Sequence, residues 1–326
     1  MLKVERECYA GNGISKEQTA MKVAVIGGTG FVGNYIVEAL QSAGHDVSVL
    51  IRAGSEAKLR QGNVWRRVTG DIDDKLAVDK NVAGCEAVIY CVGILREVPR
   101  KGITFAALQF EGAARAIDAC RRNGVKRFLL MSANGVKAPG TRYQETKKRA
   151  EDCLLDSGLD GTIFRPSVIF GDPGNQMEIA TQLYRDIVML PFPAAGFVKS
   201  GDVNERQIML SPVHVEDVAT AFANALEDRA TIGGIYQLGG PEAISWNEMI
   251  RRVAAAAGRR KWILPMPIRI MKLGATLFDW LPFFPVTRDQ LIMLEEGNTA
   301  DPEVIRALIH RPPKPFSTEN LAYLVA

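Results

Sequence analysis

The sequence has few of the residues that build disulfide frameworks and metal sites. It contains three histidines and five cysteines, an odd number of cysteines that are widely spaced and never form a CxxC pair. This pattern argues against a disulfide framework and a zinc site, and it is typical of a reducing compartment. Charge of one sign is also lacking: 40 basic and 37 acidic residues are spread along the chain, so no basic tract predicts a nucleic-acid partner.

The sequence also lacks a long uninterrupted apolar run. Residues 1–20 carry acidic side chains early and no apolar core, so they do not read as a secretory signal. The most apolar long stretch, 262–294, is divided by four prolines, whereas a spanning helix needs about 20 predominantly apolar residues. Two interpretations stay open: helices packed on a smaller lobe, or a surface that meets a membrane or a protein partner. We expect a cytoplasmic protein, with attachment to the inner face of the membrane as the alternative.

Short apolar runs alternate with helical patterns through the first half of the chain. The predicted strands are 22–27, 47–51, 64–69, 87–92, 128–132 and 162–165, and the predicted helices are 31–43, 104–122 and 143–156. Repeated alternation of this kind predicts an α/β protein with a doubly wound parallel sheet, the NAD(P)-binding Rossmann fold.

The rhythm changes after Phe170 to longer irregular segments rich in Pro and Gly. We therefore predict an N-terminal extension over 1–20, a Rossmann domain over 21–170 and a smaller, mostly helical C-terminal lobe over 171–326. This lobe is interleaved with the sheet around 207–240. Within it, Ser245 and Glu248 form a capping box before a helix that runs to about Ala257.

A glycine-rich turn follows the first predicted strand and opens the first predicted helix. It reads Gly27-Gly-Thr29-Gly30-Phe31-Val32-Gly33. Gly27 allows a tight turn, Gly30 lets backbone N–H groups approach a pyrophosphate, and Gly33 allows close packing of helix on strand. The helix N-terminus adds partial positive charge. We predict that these residues bind a dinucleotide.

The end of the second strand bears on which dinucleotide is bound. An Asp or Glu there would accept hydrogen bonds from the ribose hydroxyls of NADH, but the sequence has Arg52, whose guanidinium suits the 2′-phosphate of NADPH. NADPH is therefore favoured over NADH. Asp71 and Ile72, after the third strand, lie where such folds bind adenine, although a plain strand-to-turn role for Asp71 is the alternative. Val92 and Gly93, at the end of the fourth strand, are further candidate contacts.

A phenol and an ammonium lie four residues apart at the start of a predicted helix. Tyr143 and Lys147 therefore share one face of that helix. A nearby cation lowers the pKa of a tyrosine by favouring the phenolate, which suits proton transfer. Ser132, at the end of the fifth strand, is a candidate to hydrogen-bond the substrate oxygen. We predict Tyr143 as general acid or base, Lys147 as its tuner and a ribose contact, and Ser132 as the positioning group.

His214, Glu216 and Asp217 lie within four consecutive positions, and side chains of these types can bind a metal ion. They fall at a strand-to-helix junction, where acidic residues stabilise the helix N-terminus, and the sequence has no second cluster that would supply further ligands. We predict no metal site.

Several longer motifs are more specific than the glycine turn. They are GDI from Gly70, RPSVIFG from Arg165, PVHVEDVA from Pro212 and YQLGGPE from Tyr236. With these motifs the chain resembles the extended and atypical short-chain dehydrogenase/reductase superfamily from Met21 to about Thr299. The resemblance implies that Pro166, Ser167 and Val168 lie beside the nicotinamide.

The VTRDQLIML stretch from Val286 adds a narrower likeness. With the preceding LPMPIRIMK it is similar to bacterial relatives of the NADPH-binding accessory subunit of respiratory complex I. That likeness implies tightly held NADPH and does not require turnover. Epimerases of the superfamily usually have a longer insertion where this chain has 133–142, which puts a sugar-nucleotide substrate in doubt.

Two functions of different class follow from these features. The first is an NADPH-dependent oxidoreductase that acts on a small carbonyl or quinone-like substrate through Ser132, Tyr143 and Lys147. The second is a non-catalytic accessory or assembly protein of a membrane-associated, complex I-like assembly, with 262–294 as the contact to the membrane or a protein. A redox-sensing regulator is a weaker third reading, because the tyrosine is intact.

Overall fold

The computed structural model of the protein describes residues 20–60, 63–198, 207–268 and 288–325. The strands are β1 (Lys22–Ile26), β2 (Asp46–Ile51), β3 (Arg66–Thr69), β4 (Ala87–Tyr90), β5 (Arg127–Met131), β6 (Asp160–Pro166), β7 (Ile169–Phe170), β8 (Ala194–Val198), β9 (Met209–Leu210), β10 (Val213–His214), β11 (Ile235–Leu238), β12 (Ile244–Ser245) and β13 (Ile263–Pro267). The helices are α1 (Phe31–Ser42), α2 (Lys75–Val82), α3 (Gly112–Asn123), α4 (Arg142–Leu155), α5 (Ile179–Leu183), α6 (Val215–Glu227), α7 (Trp246–Ala256), α8 (Arg288–Glu296) and α9 (Pro302–Ile309).

Seven strands form one fully parallel sheet in the order β11-β6-β5-β4-β1-β2-β3. The strand order reverses next to β1, which is the doubly wound arrangement. Strand β1 explains why both faces are covered: Val23 and Val25 point into one apolar core, and Ala24 and Ile26 point into the other. The predicted α/β doubly wound fold is confirmed.

Each face of the sheet has its own helices. Helices α1, α6 and α9 bury apolar side chains such as Ile36, Phe222 and Ile305 on one face. Helices α2 and α3 bury Val78 and Ile117 on the other face. The sheet is therefore sandwiched between two layers, so loops at the carboxyl ends of its strands are the natural place for a ligand.

Two details of the first half differ from the sequence prediction. Helix α2 was not predicted; it is short and begins after Asp74, whose side chain accepts hydrogen bonds from the backbone N–H groups of Leu76 and Ala77. The single helix predicted over 104–122 is a π-helical segment, Ala106–Glu111, followed by α3. The fully buried Tyr90 donates a hydrogen bond to the carbonyl of Leu108 within this π-helical segment.

A third apolar core lies in the part of the chain that follows β7. Helix α7 contributes Met249, Ile250 and Val253, and later segments contribute Leu291 and Phe316. The predicted capping of α7 is confirmed, because Ser245 Oγ accepts a hydrogen bond from Glu248 N at 3.2 Å. The chain also returns to the main sheet in this part, since β11 pairs with β6.

The apolar stretch 262–294 lies partly outside the described residues, which omit 269–287. Its described parts include both buried and exposed apolar side chains. Strand β13 pairs with β8, and Leu291 of α8 is buried, whereas Trp262 and Leu264 are exposed. Among the described helices, none combines the length and apolarity needed to cross a membrane.

Candidate functional site

The glycine-rich turn brings the N-terminus of α1 against the end of β1. Gly27 has φ +101°, and its carbonyl accepts a hydrogen bond from Gly30 N at 3.0 Å. A Cβ on Gly33 would lie 2.0 Å from the Gly27 oxygen, so only glycine permits this approach. No described side chain caps α1, and its first turn has no acidic residue. The turn therefore fits the pyrophosphate of a dinucleotide, for which free backbone N–H groups at a helix N-terminus are the expected donors.

The segment after β7 closes over this turn. Gln176 Nε2 donates a hydrogen bond to the carbonyl of Thr29 at 3.0 Å. The carbonyl of Asp172 accepts hydrogen bonds from Tyr35 Oη at 3.0 Å and from Arg60 Nη2 at 2.8 Å. Sequence reasoning missed this contact, because nothing in the pattern of 172–176 indicates which part of the chain it touches.

A cavity of about 510 Å³ opens at the carboxyl ends of β2 and β3. It is lined by Arg52, Ala53, Ser55, Gly70 and Asp71. The structure thus brings together Arg52 and Asp71, the two side chains predicted to face the adenosine half of the cofactor. The side chain of Ile72, by contrast, is buried in the apolar core, which leaves only its backbone for a ligand.

Lys147 lies buried where the carboxyl ends of β4 and β5 meet helix α4. Its Nζ donates a hydrogen bond to the carbonyl of Met131 at 2.9 Å and lies 3.5 Å from the carbonyl of Val92. A Cβ on Gly93 would lie 3.6 Å from the same Nζ. Lys147, Val92 and Gly93 are therefore neighbours, as their predicted shared role requires.

Tyr143 lies one turn before Lys147 and packs edge-on against Phe105, with ring centroids 5.6 Å apart. Burial raises the pKa of Tyr143 to about 12 and lowers the pKa of Lys147 to about 8. The expected lowering of the Tyr143 pKa by Lys147 is therefore wrong for this structure: burial dominates for both groups, and the ammonium is directed at a backbone carbonyl. Tyr143 is protonated at neutral pH.

Ser132 takes part in a buried polar cluster rather than facing open space. Its Oγ lies 2.5 Å from Glu151 Oε1, and Glu151 also forms a bidentate ion pair with Arg165, with Nε to Oε1 at 2.8 Å. A carboxylate only accepts hydrogen bonds, so the single hydroxyl proton of Ser132 points to Glu151. This contact differs from the predicted one, because that proton is not free for a substrate oxygen.

The segment Pro166, Ser167 and Val168 begins with the last residue of β6 and continues past the carboxyl end of that strand. Ser167 is buried, and its Oγ donates a hydrogen bond to the carbonyl of Asn298 at 2.9 Å. The carbonyl of Pro166 accepts from Asn134 N at 2.9 Å, and the carbonyl of Val168 accepts from Val213 N at 3.0 Å. These contacts fix the segment at the same edge of the sheet as Lys147. The proton of the Ser167 hydroxyl is taken up by the contact with Asn298.

Residues after α8 border the loop that precedes α4. A polar cavity of about 330 Å³ lies between them. It is lined by Asn134, Gly135, Gln207, Met209 and Gln237, by Glu296 at the end of α8, and by Gly297, Asn298 and Thr299 after it. Glu296 accepts hydrogen bonds from Lys137 Nζ at 2.6 Å and from Gln144 Nε2 at 2.8 Å. Glu296, from the second half of the chain, therefore fixes Gln144, the residue next to Tyr143. The sequence did not indicate this contact.

The residues considered as a metal motif have protein partners. Glu216 pairs with Lys314 at 2.5 Å, and Asp217 pairs with Arg311 at 2.6 Å. His214 caps α6 by accepting a hydrogen bond on Nδ1 from Glu216 N at 3.3 Å. Their position at a strand-to-helix junction agrees with the structural role expected for them.

Residues 27–186 match the model of a family described as NAD(P)H-binding. This part of the chain, which contains the glycine turn, Arg52 and Lys147, is therefore an NAD(P)H-binding domain. The match fits the geometry of the turn and of the edge formed by β1, β4 and β5.

Known proteins resemble the chain well beyond this domain. It is 27% identical over 263 residues to ceramide reductase of Caulobacter vibrioides, covering 79% of this chain and 78% of the relative. It is 27% identical over 303 residues to NADH dehydrogenase (ubiquinone) 1 alpha subcomplex subunit 9 of Arabidopsis thaliana, covering 88% and 71%. In fold it is similar to UDP-glucose 4-epimerase of Thermus thermophilus, solved with NAD, with a TM-score of 0.69, 22% identity and coverage of 94% and 98%. The predicted resemblance to extended short-chain dehydrogenases/reductases and to the complex I subunit is confirmed.

Alanine substitutions should separate the two steric roles of the glycine turn. Gly33→Ala should lower the free energy of unfolding by roughly 1–3 kcal/mol, because its Cβ would overlap the Gly27 oxygen. In Gly30→Ala the Cβ would lie 3.2 Å from that oxygen, so stability should change by less than about 1 kcal/mol. Its affinity for NAD(P)H should still fall at least about tenfold, since the Cβ fills the space of the pyrophosphate.

Urea unfolding and a cofactor fluorescence titration measure the two effects. Wild-type affinity in a folded Gly30→Ala variant would contradict a pyrophosphate at this turn.

Proposed function

We propose that the protein is an NADPH-dependent reductase of a carbonyl or quinone-like compound. The observation that carries this proposal is the pairing of a protonated, half-buried Tyr143 with the buried Lys147 on one face of α4, beside the end of β4. This phenol keeps its proton at neutral pH, so Tyr143 is the group of the pair that holds a proton for the substrate oxygen. Reduction, which protonates the substrate oxygen, is therefore the favoured direction.

The bound nicotinamide supplies the hydride in such a reaction. Tyr143 gives its phenolic proton to the substrate oxygen, which leaves a phenolate on α4. The Lys147 ammonium, one helical turn further on, donates to the carbonyl of Met131 and lies beside the carbonyl of Val92, where it would hold the cofactor's ribose by charge-assisted hydrogen bonds. Phe105 packs edge-on against the Tyr143 ring and helps to hold it in place.

The cofactor preference rests on the end of β2. Arg52 is exposed at the rim of the cavity that Asp71 also lines, and β2 ends without an acidic residue that would accept from ribose hydroxyls. A guanidinium there forms charge-assisted hydrogen bonds with a 2′-phosphate. The relatives support a reductase, since one of them is named for the reduction of ceramide.

Removal of the Arg52 side chain should weaken NADPH binding selectively. In Arg52→Ala the Kd for NADPH should rise roughly tenfold to a hundredfold, the value of one or two charge-assisted hydrogen bonds, and the Kd for NADH should stay within about twofold. Fluorescence titrations with both cofactors measure this. Lys80→Ala removes another exposed cation of the domain and should change neither Kd. Equal losses for both cofactors in Arg52→Ala would rule out the 2′-phosphate contact.

Removal of the Tyr143 hydroxyl should abolish turnover and spare cofactor binding. Tyr143→Phe should lower kcat at least about a hundredfold, because the proton donor is lost, with the Kd for NADPH unchanged within about threefold. Tyr236→Phe is the matched control, since that half-buried phenol lies on β11 and packs against Phe164 of β6. NADPH oxidation in the presence of a panel of aldehydes, ketones and quinones measures the rate. Wild-type turnover in Tyr143→Phe would refute its role.

The pH dependence of turnover should report Lys147. Burial lowers the pKa of its ammonium to about 8, so the charge that would hold the cofactor's ribose is present below that pH and lost above it. We expect kcat/KM for reduction to fall roughly tenfold per pH unit above about pH 8. Lys147→Met should remove this alkaline limb together with most activity, whereas Lys148→Met, on the next residue, should keep both. A wild-type profile that stays flat to about pH 10 would contradict this assignment.

A non-catalytic NADPH-binding accessory protein of a membrane-associated assembly is the second candidate. Two observations favour it: the relative named as a subunit of NADH dehydrogenase, and the use of the Ser132 proton by Glu151. This candidate predicts tight NADPH binding with no oxidation by any compound of the panel. The reductase predicts oxidation that depends on Tyr143.

A further inference from the structure

Five large apolar side chains are exposed on one part of the surface after β7. Their exposed fractions are 42% for Met189, 49% for Leu190, 70% for Phe192, 79% for Trp262 and 56% for Leu264. Single exposed apolar residues are ordinary, but a contiguous group that contains two aromatic rings indicates a binding surface.

Two segments far apart in the chain form this group. Residues 189–193 precede β8, and 262–264 begin β13, which pairs with β8 in parallel register from Ala194 opposite Ile263. Ala194 N donates a hydrogen bond to the carbonyl of Trp262 at 2.7 Å. The register therefore places the two exposed segments side by side.

The outward side of β13 departs from the usual pattern of a strand with one solvated face. Ile263 packs against the apolar core, and its neighbours Trp262 and Leu264 point outward. Outward positions of such a strand are normally polar. Two large apolar residues there are not explained by packing within the described residues.

Three consecutive cations adjoin the apolar group. Arg259 and Arg260 are exposed, and Lys261 Nζ donates hydrogen bonds to the carbonyls of Leu190 at 2.5 Å and Val188 at 3.4 Å. The lysine thus ties the cationic run to the segment 189–193. The ion pairs of the preceding helix use Arg251 and Arg252, and none of the ion pairs between described residues includes Arg259, Arg260 or Lys261.

We propose that this apolar-basic surface, Met189, Leu190, Phe192, Trp262 and Leu264 with Arg259, Arg260 and Lys261, docks the protein on an anionic phospholipid membrane. Aromatic rings such as that of Trp262 occupy the membrane–water interface, where one part of the side chain is apolar and the other wet. Adjacent unpaired cations are attracted to anionic headgroups. The run of three cations beside the apolar group favours an anionic lipid surface as the occupant, and a protein partner is the outcome that the vesicle experiment separates. The proposal is independent of the reductase function.

Binding of the full chain to vesicles tests this proposal. Flotation should recover the protein with vesicles made of equal parts phosphatidylglycerol and phosphatidylcholine, and much less with phosphatidylcholine alone. Arg259→Gln with Arg260→Gln should weaken binding to the anionic vesicles by more than about tenfold, from roughly fivefold per cation. Phe192→Ser with Trp262→Ser should abolish flotation, whereas Trp262→Phe alone should retain most of it.

Matched variants distinguish a built surface from general stickiness. Lys75→Gln with Leu76→Ser changes an exposed cation and an apolar residue that is 71% exposed on α2, and it should bind vesicles like the wild type. Unchanged NADPH affinity and Tm verify that each variant is folded. Vesicle binding that survives both double variants, or wild-type protein that fails to float with anionic vesicles, would overturn the proposal. If the wild-type protein fails to float, the occupant of this surface would be a second copy of the chain or another protein.

Discussion

Helix α4 is held against the sheet by polar contacts as well as by apolar side chains. The geometry of the candidate site depends on these contacts. Gln144 is bound to Glu296, Lys147 donates to the carbonyl of Met131, and Glu151 joins Arg165 and Ser132. Buried polar groups are costly unless their partners are in position, so each contact fixes the rotation of the helix. The position of Tyr143 on α4 therefore depends on these contacts.

The main sheet and the glycine turn could be predicted because their signals are local. Short apolar runs, turn glycines and the four-residue spacing of Tyr143 and Lys147 depend on neighbours in the chain. The contact of Ser132 with Glu151 and the direction of the Tyr143 pKa depend instead on how deeply the fold buries these groups. Sequence patterns give no measure of that burial. Helix α2 escaped prediction because it is eight residues long and weakly amphipathic.

The second half of the chain shows the same division between local and tertiary signals. The Ser245 cap of α7 could be read from the sequence, because a cap involves residues three apart, although the Glu248 carboxylate accepts from Arg252 and so the predicted box is observed only in its Ser245 half. The apolar-basic surface could not be located from sequence, since it depends on the pairing of β8 with β13 across more than sixty intervening residues. The sequence did mark 262–294 as unusual. The fold shows that its first residues combine with 189–193, which no local pattern indicated.

The central claim is that a dinucleotide bound at the glycine turn would reduce a carbonyl or quinone-like substrate whose oxygen receives its proton from Tyr143. Stopped-flow fluorescence of the NADPH-loaded protein, mixed with aldehydes, ketones and quinones in turn, tests it most directly. The account predicts rapid loss of NADPH fluorescence with one class of compound in the wild type and not in Tyr143→Phe. Tight NADPH binding with no oxidation by any of the three classes would contradict it.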